Sequence, residues 1–236
     1  MAGYIGPNAS GQGLAKESLV SEFETARKQM VDSQIRPSDV TDRRLIAAFL
    51  DIPRHVFVPR ARRASAYADT QVQVGDARTL MRPRDIAKLV HAADIQPDEL
   101  VLDIACARGY STAILARMAG TVVGLESDED SLSRASGLLA DIGADNAVVI
   151  EGDLAAGVAK QGPFDVIFVN GAIDAVPQAW LDQLAEGGRL VAVIRKGPIG
   201  KATVFTRSAA GVGERQVFDA NVAPLPGFQA EAGFVL

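Results

Sequence analysis

The chain has 236 residues, 48% hydrophobic and 22% charged, with a formal net charge of −5. That length suits one well-packed α/β domain with an added subdomain, and the acidic balance argues against a nucleic-acid partner, which needs a basic face. No run approaches the roughly 18 apolar residues of a membrane span, and with two histidines and the single cysteine Cys106 there is no disulfide framework and no ordinary zinc ligand set, so no metal is expected.

Residues 1–18, rich in Gly, Ser and Ala without an apolar period, read as a flexible leader. A helical region over 19–93 follows. Phe23, Ala26 and Met30 recur at helical spacing until Pro37. A second helix fits Asp42 to Leu50, with Leu45, Ile46, Phe49 and Leu50 on one face and Thr41 or Ser38 as its cap. Pro53 and Pro59 break the next segment, where Arg60, Arg62 and Arg63 read as a solvated helix end. A third helix covers Pro83 to Ala93 through Ile86, Leu89 and Val90.

Over 94–236 the period changes. LVLDIA (100–105) has the unbroken apolar look of a buried parallel strand. A helix with Ile114, Leu115 and Met118 follows, then strand TVVGLE (121–126), then a helix through Leu132, Ala135, Leu138 and Leu139 closed by Gly143. Further strands fit AVVIEGD (147–153), FDVIFVNG (164–171) and, after the turn Glu186-Gly187-Gly188, RLVAVI (189–194). This alternation predicts a doubly wound, Rossmann-like parallel sheet. ATVFTRS and RQVFDANV around AAGVG predict a terminal antiparallel hairpin.

Ligands of such sheets sit at the carboxyl ends of the strands. Three of those ends are acidic. Asp103 closes the first strand ahead of the loop Ala105-Cys106-Ala107-Arg108-Gly109; Glu126 closes the second, and Asp153 follows the third. Glu126 is placed either to accept from the two hydroxyls of an adenosine ribose or simply to end a strand at the surface. Asp153 could accept from an exocyclic adenine amine. Gly109 can take a positive φ or let the next helix approach closely. Cys106 reads as an incidental small residue, since no motif near it supplies a base.

The loop has the x-x-x spacing of a G-x-G-x-G turn rather than the G-x-G-x-x-G of a dinucleotide site. With MVDSQIRPSDVTDRRLIAAFLDIPRHVFVP (30–59), AYADTQVQVGDARTLMRP (66–83), VLDIACARGYSTAILA, VVGLE, EGD, PFDVIFVNGA and LAEGGRLVAVI, the chain resembles the protein-L-isoaspartate O-methyltransferases from about Ala26 to its C-terminus. The resemblance implies a class I methyltransferase fold and S-adenosyl-L-methionine as cofactor, with S-adenosyl-L-homocysteine as product. It implies an enzyme whose partner is a protein or peptide carrying isoaspartyl residues, which it esterifies to begin their repair; a cytoplasmic setting is expected from the single cysteine, which fits a reducing compartment. On this resemblance Asp103, Ala105, Ala107 and Gly109 shape the methionine pocket and Glu126 holds the ribose. Asp153 and Leu154 flank the adenine. Thr79, Leu80 and Met81 cover the reactive end, and Arg82 is a partner for the acceptor carboxylate or a solvated helix-start arginine.

Two departures stand out. Met81 occupies the register of the family serine, and a thioether offers a carboxylate no useful hydrogen bond. Ala105 and Ala107 replace the first two loop glycines; at positive φ each would strain the loop by about 1–2 kcal/mol. Besides isoaspartyl esterification, two readings therefore stay open: a methyltransferase of the same fold with a different acceptor, and a non-catalytic relative that acts as a binding protein.

Overall fold

A computed structural model describes residues 21–197 and 199–229; the leader expected over 1–18 lies outside them. A two-stranded antiparallel sheet pairs β1 (Val72–Gln73) with β2 (Thr79–Leu80). The main sheet holds β3 (Leu100–Ile104), β4 (Thr121–Glu126), β5 (Ala147–Glu151), β6 (Phe164–Ile173), β7 (Leu184–Ile194), β8 (Gly200–Ser208) and β9 (Gly211–Ala220). Its order is β5-β4-β3-β6-β7-β8-β9. Pairing is parallel from β5 to β7 and antiparallel through β8 and β9, so the expected doubly wound sheet and terminal hairpin are both present.

The order reverses between β3 and β6, which puts the carboxyl ends of β3, β4 and β6 around one crevice. Val101 to Ile104 and Val166 to Val169 are fully buried, the reason these strands read as continuous apolar runs rather than alternating ones. One face of the sheet packs on the helical N-terminal region, α3 (Pro83–Ala93), α4 (Tyr110–Ala116) and α5 (Glu129–Asp141). The other is covered by short α6 (Gln178–Asp182), whose Trp180 is fully buried, and by Leu225 with Phe228. Arg189 on β7 fastens α3 to the sheet. It pairs with Glu99 at 2.6 Å and donates to the carbonyls of Ala93 and Asp94 at 2.5 Å each, satisfying acceptors that a helix C-terminus leaves open.

Several boundaries differ from the sequence reading: β5 ends at Glu151, β6 runs on to Ile173, and β8 and β9 both start earlier than expected. The second helix, α2 (Arg43–Asp51), is capped by Asp42, whose carboxylate accepts from Arg44 N at 2.8 Å, instead of by Thr41 or Ser38. Asp42 stands directly before the first helical residue and its ionised oxygen is the stronger acceptor. Strand β7 starts at Leu184 and absorbs Glu186-Gly187-Gly188 as an irregularity, because Phe164 already pairs with Leu184. A Cβ on Gly188 would meet the carbonyls of Ala185 and Phe164 at 2.9 Å, so the irregularity requires glycine there. The pair β1–β2 was not expected, since two-residue strands carry no readable period.

The first helix, α1, described over residues 21–30, widens into a π turn (Val31–Ile35) and then tightens into a 3₁₀ turn (Arg36–Ser38) at Pro37. Its Phe23 stacks on His55, with ring centroids 4.1 Å apart, and His55 Nδ1 shares a 2.8 Å hydrogen bond with the Tyr67 hydroxyl. Burial, with Arg63 and Arg27 nearby, pushes His55 down to about 4, while burial pushes Tyr67 up to about 12. As pH falls from the ordinary histidine value of 6.5 towards 4, the unfolded chain takes up a proton that the folded chain refuses, and stability drops. Urea unfolding across this window is expected to show a smaller loss for His55→Gln than for the wild type. Parallel pH profiles would rule this histidine out as the cause.

Candidate active site

The loop after β3 is built from the strand end outward. Ala105 N and Cys106 N both donate to Leu125 O, at 2.9 and 3.3 Å, which ties the loop to β4. Ala105 and Ala107 take φ of +57° and +51°, so the strained alternative is the one realised: both alanines hold a left-handed conformation that glycine adopts freely. Gly109 has φ +84°, and a Cβ there would lie 3.3 Å from that of Ala135 on α5. It thus combines the positive φ with the close helix approach that the sequence offered as alternatives.

Asp103 is fully buried below this loop. Its Oδ2 accepts from Ser111 Oγ and Thr112 Oγ1, each at 2.7 Å, and its Oδ1 accepts from Asn170 Nδ2 at 2.6 Å. Burial pushes the carboxyl up to about 6 against these three donors, with the charge of Glu126 adding to the rise. Asp103 therefore joins β3, the start of α4 and the end of β6. Asn170, Ser111 and Thr112 were not singled out from sequence; Asn170 sits 67 residues from its partner, and only the sheet order joins them.

Glu126 is not a surface strand end; its side chain is entirely buried. Its Oε2 accepts from Ala107 N at 2.8 Å, and its Oε1 accepts from Ser127 N at 2.8 Å and Asp128 N at 3.2 Å. The remaining directions face Arg78, which donates through Nη2 at 2.6 Å and through Nε at 3.1 and 3.0 Å. Arg78 Nη2 also reaches Ser127 Oγ at 3.1 Å. This arginine, in the stretch GDARTLM, was overlooked; an unpaired basic residue just before the covering segment was the one available signal.

Beyond β5, Asp153 is exposed and its Oδ1 accepts from Ala155 N at 3.0 Å. Leu154 is buried, and its carbonyl accepts from Trp180 Nε1 at 2.8 Å. Thr79 and Leu80 lie in β2, and Met81 follows with a buried side chain. The Met81 carbonyl accepts from Arg54 Nη2 at 2.5 Å, while Arg54 Nε donates to Ala66 O at 2.7 Å. Arg54 is wholly buried and its guanidinium lies 4.8 Å from the Tyr110 ring centroid. It thus pins the covering segment to the body of the fold, and losing it would strand two buried carbonyls at about 1–3 kcal/mol each. Arg82 is already engaged, donating to Asp85 Oδ2 at 2.8 Å. Burial pushes the Cys106 thiol well up, which keeps it protonated. Arg60 to Ser65 form a 3₁₀ helix, with Arg62 exposed.

S-adenosylmethionine, the group implied by the resemblance, suits this donor set. Carboxylates stand at or just beyond the ends of the adjoining strands β3, β4 and β5, and the loop between β3 and α4 keeps its left-handed turns. The fit carries one condition: the side of Glu126 not taken by backbone amides is occupied by Arg78, which a ligand of that carboxylate would have to displace.

Comparison with known proteins follows the same line. Residues 25–223 match the sequence profile of the protein-L-isoaspartate(D-aspartate) O-methyltransferase (PCMT) family. A protein-L-isoaspartate O-methyltransferase of Methanoregula boonei is 35% identical over 201 residues, covering 85% of this chain and 93% of its own. One from Koribacter versatilis is 33% identical over 216 residues, 92% and 97% of the two chains. A solved structure bearing the same enzyme name superposes with a TM-score of 0.76 at 25% identity, over 85% of this chain and 66% of that one. A further structure from Plasmodium falciparum, described as a putative enzyme of this type in complex with S-adenosyl-L-homocysteine, shares the fold with a TM-score of 0.73 at 20% identity, over 84% and 97%.

The left-handed alanines generate a stability prediction. Ala105→Gly and Ala107→Gly are each expected to stabilise the chain by about 1 kcal/mol, net of the extra flexibility glycine gives the unfolded state. Thermal unfolding would register this as a rise of about 2–4 °C per substitution. A fall in melting temperature for both would mean the loop bears no such strain.

Proposed function

The chain belongs to the protein-L-isoaspartate(D-aspartate) O-methyltransferase family, and on that premise we propose that it esterifies the carboxylate of L-isoaspartyl residues in damaged proteins. It is an S-adenosylmethionine-dependent methyltransferase of that family, and the cofactor supplies a methyl carbon bonded to a sulfonium centre. An ionised acceptor carboxylate is itself the nucleophile: an oxygen lone pair forms the new C–O bond while the C–S pair leaves with sulfur. No strong base is called for, so the protein's task is alignment and exclusion of water. In this reading Asp103 and the loop from Ala105 to Gly109 shape the methionine pocket, Glu126 takes the ribose, and Asp153 with Leu154 flanks the adenine. Thr79, Leu80 and Met81 cover the reactive end.

The observation that carries the proposal is the set of carboxylates at the ends of β3, β4 and β5, on strands paired directly with one another. A second reading, a different acceptor on the same chemistry, draws its support from Met81: its side chain is buried and apolar where the family carries a serine. Arg82 is held by Asp85 in the same segment, so a role towards an acceptor carboxylate requires it to be shared between the two. Among the described residues no helix is long and apolar enough to cross a membrane. A cytoplasmic setting is supported by the single, buried cysteine.

With cofactor labelled in its methyl group, an isoaspartyl peptide is expected to gain label that mild base releases, and the matching aspartyl peptide is expected to gain none. Base-stable label would instead point to a nitrogen acceptor. Met81→Ser is expected to raise kcat/KM for the isoaspartyl peptide about tenfold, the lower end of what one hydrogen bond to a charged group supplies. An unchanged value would place the acceptor carboxylate away from residue 81.

A further inference from the structure

The carboxylate assigned to the ribose is already saturated. Its two oxygens have about four lone-pair directions between them. Ala107 N, Ser127 N and Asp128 N occupy one side, and the Arg78 guanidinium covers the rest. Backbone amides of the loop and of the α5 start cannot withdraw without unmaking those elements. Arg78 can, because it lies in the connection between β1 and β2, directly before β2, and reaches Glu126 through a long side-chain stem.

A second place with carboxylates lies beside it. A cleft of about 470 Å³ is lined by three acids, Asp76, Asp128 and Asp130, together with Gly75 and two arginines, Arg62 and Arg108. Gly75 borders both places: a Cβ on it would stand 3.7 Å from the Arg78 Cβ. Hydrogen bonds from Ser131 hold the Asp128 carboxyl below the ordinary range, and the charge of Arg78 contributes to the same effect.

We infer that Arg78 is a displaceable internal ligand of Glu126, an arginine latch that competes with the ribose diol of the adenosyl cofactor and swings towards the Asp76–Asp128 cleft when the cofactor binds. The inference rests on the cofactor reading above and adds the residue that sets its affinity. Arg78 directly precedes Thr79, Leu80 and Met81, so the latch also links occupancy of the ribose site to the position of the segment over the reactive end.

The test is calorimetric titration of the full chain with S-adenosylhomocysteine, alongside thermal unfolding without ligand, for the wild type and Arg78→Gln. The latch requires opposite signs: Arg78→Gln melts lower, having lost a buried pair, yet binds at least tenfold tighter. An arginine that merely supports the fold would give weaker or equal binding when removed, and that result in a cooperatively folding variant overturns the inference. Should Arg78→Gln fail to fold, Arg78→Lys decides. It keeps the charge but loses the fork that grips both oxygens, and it must bind tighter than the wild type; equal or weaker binding again overturns the latch. Binding by the wild type without tightening in the variant removes only the latch. Absence of binding by both proteins at millimolar ligand removes the latch and the cofactor reading together.

Discussion

A buried carboxylate organises this protein. Glu126 gathers the loop after β3 through Ala107 N, the entry to α5 through Ser127 N and Asp128 N, and the β1–β2 pair through Arg78. These pieces also share apolar packing, since Val72, Val74, Leu80, Ala107 and Leu139 lie in one buried cluster, and their donors in turn satisfy a charge that would be untenable alone in the interior. The neighbouring Asp103 plays a parallel part, joining β3, α4 and β6 through Ser111, Thr112 and Asn170. Two acids at the ends of adjoining strands thus shape the crevice before any ligand enters it.

The two acids differ in what they are paired with. Asp103 is held by neutral donors alone, and its burial shows as a raised proton affinity. Glu126 is paired with a guanidinium besides its backbone donors, an arrangement that sets ionic attraction against the cost of desolvating both charges. Two buried acids on adjoining strands are thus held by different chemistry.

Much of this was open to a reading of the sequence. The bounds of β4 and α3 follow directly from apolar period and the Pro83 start, and the three acidic strand ends follow from where the strands stop. The loop alanines were also legible as a conflict, although only the backbone decides that both sit at positive φ. What stayed hidden is long-range. Arg78 meets Glu126 across 48 residues and Asn170 meets Asp103 across 67, and neither spacing has a local signature. Arg54 was hidden in another way: a basic residue in a short segment between Pro53 and Pro59 looks like surface, whereas tertiary packing buries it against Tyr110 to hold the Met81 carbonyl. The cap of α2 was missed by one position because Ser38, Thr41 and Asp42 are all good caps, and backbone geometry makes the choice.

Trp180 is the single tryptophan in the chain, fully buried, with its indole nitrogen bonded to the carbonyl of Leu154 and its ring against Phe228. Leu154 belongs to the turn that follows β5, at the edge of the crevice. The molecule therefore carries one indole, shielded from water and joined through its nitrogen by a hydrogen bond to the rim of the crevice. Its emission is a reporter of that rim, legible in the native chain without any label.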